Sequence, residues 1–184
     1  MGFHTYDVSR ATDLEDPSRY AYLSVDELLA LLDPQLDDTI ADLGSGTGFY
    51  TDDIAPHVET VYAVDVQEAM HDHYREKGAP ENVEFVTAEV ADLPLEDDSL
   101  DAAVSTMTYH EFANEAAIAE LARVIAPGGR LAVGDWSAAG EGLEGPPVDE
   151  RFDASTATEH LESGGFEVVR AEDRRETFVL EAHR

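Results

Sequence analysis

The chain has 184 residues, 43% of them hydrophobic, which is enough for one domain with a full core. It has no cysteine, so disulfides, thiolate metal sites and a cysteine nucleophile are excluded. Acids outnumber bases by 41 to 11, and the formal net charge is −30 at pH 7. Phosphates would be repelled by this charge, so nucleic acid is not an expected partner.

The acidic residues are spread along the whole chain rather than gathered in a tail. This pattern fits either an acidic partner surface or a solvated acidic coat suited to high salt. Because the bias is global, we favour the salt-adapted, halophilic-type interpretation, since screening at about 1 M salt removes most self-repulsion. The sequence shows no signal-peptide, lipidation or membrane-span pattern, so we expect a soluble cytoplasmic protein without a membrane partner.

The first part of the chain, residues 1–35, is expected to be an N-terminal helical lid segment on a Rossmann-like core at 36–184, within a single domain 1–184. Residues up to 23 are polar and aromatic without a clear period. Ser24 and Glu27 have the spacing of a helix capping box, and Pro34 ends the helix that follows.

Short β-like runs then alternate with helical segments. Strands are predicted at 39–43, 60–65, 83–88, 100–106, 130–136, 166–171 and 177–182. Helices are predicted at 48–56, 67–77 and 115–125, and a last one is expected to begin at a capping box at 156–159. The Gly- and Pro-rich stretch 138–149 is expected to be a mobile loop.

Repeated strand-then-helix units predict a parallel sheet covered by helices on both faces. The last two predicted strands are close enough in sequence to pair as a hairpin. The predicted fold class is therefore α/β. It is a Rossmann-like three-layer α/β/α sandwich with a mostly parallel seven-stranded sheet and one antiparallel strand near the C-terminus.

Three glycines at alternate positions follow the first strand, in the stretch IADLGSGTGFYT. A phosphate-binding loop would need a lysine after its last glycine, and none follows here. The dinucleotide fingerprint would need its third glycine one residue later, where Phe49 stands. The remaining pattern, acid-x-Gly-x-Gly-x-Gly, begins at Asp42. It places an acid beside the ligand, which suits a cation rather than a phosphate.

With its neighbours, this stretch resembles motif I of the class I S-adenosylmethionine-dependent methyltransferases. It is most similar to the small methyltransferase type 11 group, which includes the quinone C-methyltransferases. The resemblance covers roughly 36–136 and rests on four segments in order: IADLGSGTG, VYAVDVQEAM, VTAEVADLPLEDDSLDAAVS and LARVIAPGGRLAV. It implies S-adenosyl-L-methionine as the cofactor and transfer of its methyl group to a small-molecule acceptor.

The resemblance also implies a set of cofactor-binding residues at the carboxyl ends of the strands. They are Asp42, Gly44, Ser45, Gly46, Gly48, Asp65, Val66, Glu89, Val90 and Thr106. Among them, Asp42 would attract the ammonium group and Asp65 would accept hydrogen bonds from the ribose hydroxyls. Glu89 would accept from the adenine amine, although the family more often has Asp there and Asp92 is near. Thr106 would lie beside the sulfonium.

Methyl transfer from a sulfonium is a direct displacement that needs alignment and exclusion of water, without a metal. Three residues after the fourth strand, Tyr109, His110 and Glu111, are the candidates to orient or deprotonate the acceptor. His110 is the strongest candidate base because the unperturbed pKa of histidine is near 6.5. No metal site is expected.

Two other functions stay open on the sequence alone. A non-catalytic module would bind S-adenosylmethionine or its demethylated product as a sensor or partner subunit. A NAD-type oxidoreductase would need a Tyr-x-x-x-Lys pair, but the sole lysine, Lys77, follows Tyr74 at the wrong interval. The acceptor atom and the oligomeric state are not fixed by the sequence, because this fold hosts many reactions.

Overall fold

Seven strands form one sheet in the computed structural model, which describes residues 5–184. In chain order they are β1 (Thr39–Leu43), β2 (Thr60–Asp65), β3 (Val83–Thr87), β4 (Leu100–Thr106), β5 (Ile125–Trp136), β6 (Glu167–Asp173) and β7 (Thr177–His183). Their spatial order is β3-β2-β1-β4-β5-β7-β6. Every neighbouring pair from β3 to β5 is parallel, and β7 runs antiparallel to both β5 and β6. The predicted mostly parallel sheet with one antiparallel strand is confirmed.

Helices cover both faces of this sheet. They are α1 (Val25–Leu32), α2 (Thr51–Ile54), α3 (Glu68–Lys77), α4 (Tyr109–Phe112), α5 (Glu115–Val124) and α6 (Ala154–Ser163). Two apolar cores result, one on each face. Buried side chains of α5 and α6 pack on one face, and those of α1, α2 and α3 pack on the other. This arrangement is the predicted three-layer sandwich.

The N-terminal segment contains two short 3₁₀ helices, Val8–Glu15 and Pro17–Ala21, ahead of α1. The Ser24 half of the predicted capping box is observed, because the hydroxyl of Ser24 accepts a hydrogen bond from the backbone N–H of Glu27 at 3.3 Å, whereas the Glu27 carboxylate accepts from Arg174. The 3₁₀ helices lacked a sequence signal, because polar residues at a period near three give no apolar stripe.

Three local predictions are wrong. The helix predicted at 48–56 is a single α-helical turn, α2, followed by a 3₁₀ helix at Ala55–His57. The last helix is capped by Asp153, whose side chain accepts from the N–H of Thr156 at 2.7 Å, so it begins before the expected capping box. The fifth strand begins at Ile125 rather than at residue 130. Its Pro-Gly-Gly stretch lies in an irregular part of the pairing with β4, where the register shifts.

Within residues 5–184, no helix combines the length and the apolar composition needed to cross a bilayer.

Candidate active site

The turn between β1 and α2 needs its glycines because of the conformation and the close packing there. Gly44 and Gly48 have φ angles of +78° and +79°. A Cβ atom on Gly44 would overlap the side chain of Thr108, and one on Gly48 would overlap the ring of Tyr74. At these two positions the chain's own side chains therefore exclude any residue but glycine.

The end of β2 is fixed to this turn by the carboxylate of Asp65. One oxygen accepts from the backbone N–H of Gly46 at 2.9 Å, and the other accepts from the N–H of Gln67 at 2.8 Å. Burial raises the pKa of Asp65, and the two backbone hydrogen bonds oppose that shift. Each carboxylate oxygen can accept a second bond, so Asp65 keeps acceptor capacity toward the cavity that it lines.

Asp42, in β1, is the buried acid beneath the turn, with 1% of its surface exposed. Its Oδ2 accepts from the hydroxyl of Thr51 at 2.6 Å. Its Oδ1 has no hydrogen-bond partner among residues 5–184, and neither has the buried hydroxyl of Ser45. Burial raises the pKa of Asp42 to about 6, although Thr51 and the charge of Arg19 act in the opposite direction. A buried carboxylate oxygen without a partner suits a cationic group, directly or through water.

A cavity of about 210 Å³ opens at the carboxyl ends of the first four strands. Its walls are formed by Thr5, Gly44, Val64, Asp65, Val66, Ala88, Glu89, Val90, Ala91, Thr108, Glu111, Phe112 and Asn114. Five of the predicted cofactor residues are among them: Gly44, Asp65, Val66, Glu89 and Val90. Val66 is 46% exposed, so it presents an apolar surface on the cavity wall beside the carboxylates of Asp65 and Glu89.

The other predicted cofactor residues lie beside the cavity but do not form its walls. Asp42, Ser45, Gly46 and Gly48 belong to β1 and the turn described above. Thr106 is 5% exposed at the end of β4, and its carbonyl accepts from the hydroxyl of Thr108 at 3.0 Å.

Tyr109 lies in the core instead of on the acceptor side. It is fully buried, and its ring contacts Phe112, Phe152 and Phe178 at centroid distances of 5.6, 6.0 and 6.2 Å. The short helix α4 packs the ring of Tyr109 into the core, while Glu111 of the same helix lines the cavity. The structure therefore gives Tyr109 a packing position, in contrast to the expected contact with the acceptor.

His110 and Glu111, the other two candidates, lie next to a second acid, which the sequence analysis missed. Nδ1 of His110 lies 2.9 Å from Oδ2 of Asp135, which is fully buried in β5. Nε2 of His110 lies 4.0 Å from Oε1 of Glu111, a residue of the cavity wall. The three side chains thus form a row from the core to the cavity.

Two members of the row, His110 and Glu111, have shifted pKa values. Burial raises the pKa of Glu111 to about 7, and the charge of His110 offsets only part of that shift. Burial lowers the pKa of His110, but the charge of Asp135 and the hydrogen bond to it outweigh this effect, so the pKa is raised. Such groups can exchange protons near neutral pH.

Beyond β5, the loop 138–149 is anchored by two buried, oppositely charged side chains. Nε of Arg151 donates to the carbonyl of Pro146 at 2.8 Å, and Oε2 of Glu176 accepts from the N–H of Gly142 at 3.0 Å. Nη1 of Arg151 lies 3.7 Å from that same carboxylate oxygen.

In the part of the chain that the structure describes, no group of three or more His, Asp or Glu side chains is arranged to hold a metal ion.

Comparison with known proteins identifies the class. Residues 41–133, slightly more than half of the chain, match the sequence model of the Methyltransf_11 family, a methyltransferase domain. A solved S-adenosylmethionine-dependent methyltransferase from Aquifex aeolicus is 31% identical with a TM-score of 0.88, over 97% of this chain and 98% of that one. The chain therefore belongs to the Methyltransf_11 family of S-adenosylmethionine-dependent methyltransferases, as its motifs indicated.

Curated relatives share the central part of the fold. A methyltransferase-like protein of Schizosaccharomyces pombe is 40% identical over 99 residues, which is 52% of this chain and 38% of that protein. Demethylmenaquinone methyltransferase of Corynebacterium kroppenstedtii is 34% identical over 107 residues, 58% of this chain and 45% of that protein. The chain thus spans less than half the length of these two relatives.

One further solved structure shares the fold along nearly the full chain. It is a Haloferax volcanii methyltransferase in complex with the Trm112 methyltransferase activator, with a TM-score of 0.80 at 18% identity. It covers 98% of this chain and 99% of that one.

Proposed function

We propose that this chain transfers the methyl group of S-adenosylmethionine to a small-molecule acceptor. The observation that carries the proposal is the bond between Gly46 and Asp65, which joins the glycine turn to an acid on the cavity wall. The cofactor has a sulfonium, an ammonium, a carboxylate and a ribose diol, but no phosphate. Among the described residues, the cavity wall carries three acids, Asp65, Glu89 and Glu111, and no lysine or arginine, which fits that charge pattern.

The ribose and adenine are assigned to the ends of β2 and β3. Asp65 would accept from the ribose hydroxyls, because its orientation is already fixed by two backbone donors. Val66 would pack on the adenine face, the backbone N–H of Val90 would donate to a ring nitrogen, and Glu89 would accept from the exocyclic amine. Glu89 and Val90 lie on the same cavity wall as Val66, which supports this assignment.

The methionine part is assigned to the turn after β1. The unpartnered oxygen of Asp42 and the unpartnered hydroxyl of Ser45 are the buried polar atoms that an ammonium group would satisfy. Gly44 lines the cavity with backbone alone, which permits close approach. Thr106 would then lie near the sulfonium, which supplies an activated methyl group when the cofactor is bound.

The N-terminal segment would close over the cofactor as a lid. Thr5 already contributes to the cavity wall, and Leu14 lies 3.4 Å from the position that a Cβ on Gly46 would occupy. Glu15 holds the segment to the core, because it accepts from the hydroxyl of Thr47 and lies 3.2 Å from the amine of Lys77. This placement lets one segment exclude water from the reacting atoms.

Isothermal titration in molar KCl tests the cofactor assignment. We expect saturable one-to-one binding of S-adenosylmethionine and of S-adenosylhomocysteine, and none of NAD. Saturation by NAD alone would overturn the proposal. A labelled-methyl assay on small-molecule extracts then separates an enzyme from a sensor, because a sensor would bind the cofactor but transfer no label.

A further inference from the structure

The row formed by Asp135, His110 and Glu111 indicates what kind of acceptor the cavity takes. On the basis of the methyl transfer proposed above, we propose that Glu111 and His110 remove a proton from the acceptor and that Asp135 holds His110 in position. We further propose that the acceptor is a neutral compound with a weakly acidic hydroxyl group, of the phenol or enol type.

Asp135 fixes both the place and the tautomer of His110. Its Oδ2 accepts from the backbone N–H of His110 at 2.7 Å, and its Oδ1 accepts from the N–H of Trp136 at 2.7 Å. Because a carboxylate can only accept, Nδ1 of His110 must carry the proton in the bond to Asp135. Nε2 is then free to accept, and it faces Glu111. This is the way in which a buried acid orients a catalytic histidine.

The charged groups around His110 and Glu111 favour uptake of a proton by these two side chains. His110 is faced by Asp135 from β5, by Glu111 from its own helix and by Arg151 from the segment before α6. Glu111 is faced by His110, by Asp135 and by Asp65 at the end of β2. Two of the three neighbours of Glu111 are acids. Protonation of Glu111 therefore removes its repulsion from Asp135 and Asp65, and it also removes the cost of burying a charge.

The need for a base favours a phenol or enol over an amine as the acceptor. A neutral amine already carries the lone pair that attacks the methyl group, whereas a phenol or enol becomes a strong nucleophile only when its proton is removed. A phenol or enol enters uncharged, and its proton lies within about three pK units of a base that titrates near 7. Thr108 and Asn114 supply polar contacts on the same wall.

The acceptor loses its O–H proton to the carboxylate of Glu111 and forms a bond from its oxygen, or from a conjugated carbon, to the methyl carbon. The carbon–sulfur bond breaks and leaves its electron pair on sulfur. A water between the two side chains then carries the proton from Glu111 to Nε2 of His110, which lies 4.0 Å away, and on to solvent.

The test compares wild type with Glu111→Gln and Asp135→Asn between pH 5.5 and 9. Labelled methyl transfer from S-adenosylmethionine is measured to a panel of small phenols, to their methyl ethers and to primary amines. Affinity for S-adenosylhomocysteine is measured in parallel. Glu159→Gln is the matched control, because it removes one exposed carboxylate on α6, away from the cavity.

We expect label on phenols alone. Glu111→Gln should lower kcat by about a hundredfold or more, the usual effect of a lost general base. Asp135→Asn should lower kcat at least about tenfold and move the pH profile to lower pH, because its negative charge raises the pKa of both His110 and Glu111. Both variants should bind S-adenosylhomocysteine like wild type, and Glu159→Gln should behave like wild type throughout.

Each failure has a distinct meaning. Label on amines but not phenols, an unlabelled panel despite normal cofactor affinity, or unchanged kcat in Glu111→Gln would overturn this inference and leave cofactor binding intact. Loss of cofactor binding by wild type would instead overturn the proposed function. If Asp135→Asn does not fold, NMR of wild type decides its role, since a His110 ring protonated only at Nε2 would contradict the positioning.

Discussion

The backbone N–H of Gly46 donates to the carboxylate of Asp65 at 2.9 Å, across 19 residues of sequence. This bond joins the turn after β1 to the end of β2, so the two parts of the proposed cofactor site are one rigid unit. A change at either residue is therefore expected to affect the whole site rather than a single contact.

Asp65→Ala is expected to weaken S-adenosylhomocysteine binding strongly. Two ribose hydroxyls would lose a charged acceptor, and hydrogen bonds to charged groups contribute about 1.5–3 kcal/mol each, so the Kd should rise by at least about tenfold. Isothermal titration measures the effect. Asp72→Ala is the control, since it removes an exposed carboxylate on α3 that pairs with Arg75 on the surface. Equal affinity of Asp65→Ala and wild type would contradict the assignment.

Asp42 should make both stability and cofactor affinity depend on pH. Burial raises its pKa to about 6 from 3.8, so the native protein holds this proton more tightly than the unfolded chain. Its contribution to stability is therefore full below about pH 4 and is lost as the pH rises through about 6, by on the order of 3 kcal/mol.

Asp42→Asn should remove that part of the pH dependence. Urea unfolding at pH 4.5 and 7.5 should show that the unfolding free energy of the variant, relative to that of wild type, is higher at pH 7.5 than at pH 4.5. Affinity for S-adenosylmethionine should rise with pH through about 6 in wild type, because the ionised carboxylate attracts the ammonium, and should be flat there in the variant. Parallel pH profiles of the two proteins would refute this role of Asp42.

Arg151 and Glu176 should control the loop 138–149. Removing one member of a buried ion pair typically costs about 3–5 kcal/mol, because the other charge stays buried. Arg151→Met should therefore lower the unfolding free energy and expose the loop to limited proteolysis. Arg175→Met is the matched control, since its pair with Glu141 is 73% and 54% exposed and is screened by solvent, so its loss should change stability little. Equal protease resistance of the two variants would show that the buried pair does not anchor the loop.

The net charge of −30 should make folding depend on salt. Raising KCl from 0.1 M to 2 M screens self-repulsion, so Tm should rise. An uncharged osmolyte at equal osmolality is the control, because it stabilises compact states without screening charge. An equal rise in Tm with KCl and with the uncharged osmolyte would refute the salt-adapted interpretation.

The strands that alternate with helices were the most predictable part of the fold. The observed bounds of β1, β2 and β4 equal the predicted ones, because each is a short apolar run bounded by polar or turn residues. The helix α4 was missed since four residues are too few to show a period. The same limit explains Tyr109, because the sequence does not say which side of so short a helix faces the core.

The site was predictable where it depends on topology. Parallel strands bring their carboxyl ends to one edge, so Gly44, Asp65 and Glu89 were expected together and do share a cavity wall. Asp135 was missed because one more acid carries little weight in a chain with 41 of them. The available signal was its place within the apolar run LAVGDW, since a charge inside a buried strand requires partners.

The contact between Glu15 and Lys77 makes the N-terminal segment open to chemical observation. Lys77 is the sole lysine of the sequence, its side chain is 26% exposed, and its amine lies 2.8 Å from Asp52 and 3.2 Å from Glu15. An acylating reagent therefore meets one side-chain amine, at the place where the segment is fastened to the core. The rate of labelling at that amine, followed by mass spectrometry, is expected to fall when bound cofactor holds the segment against the core.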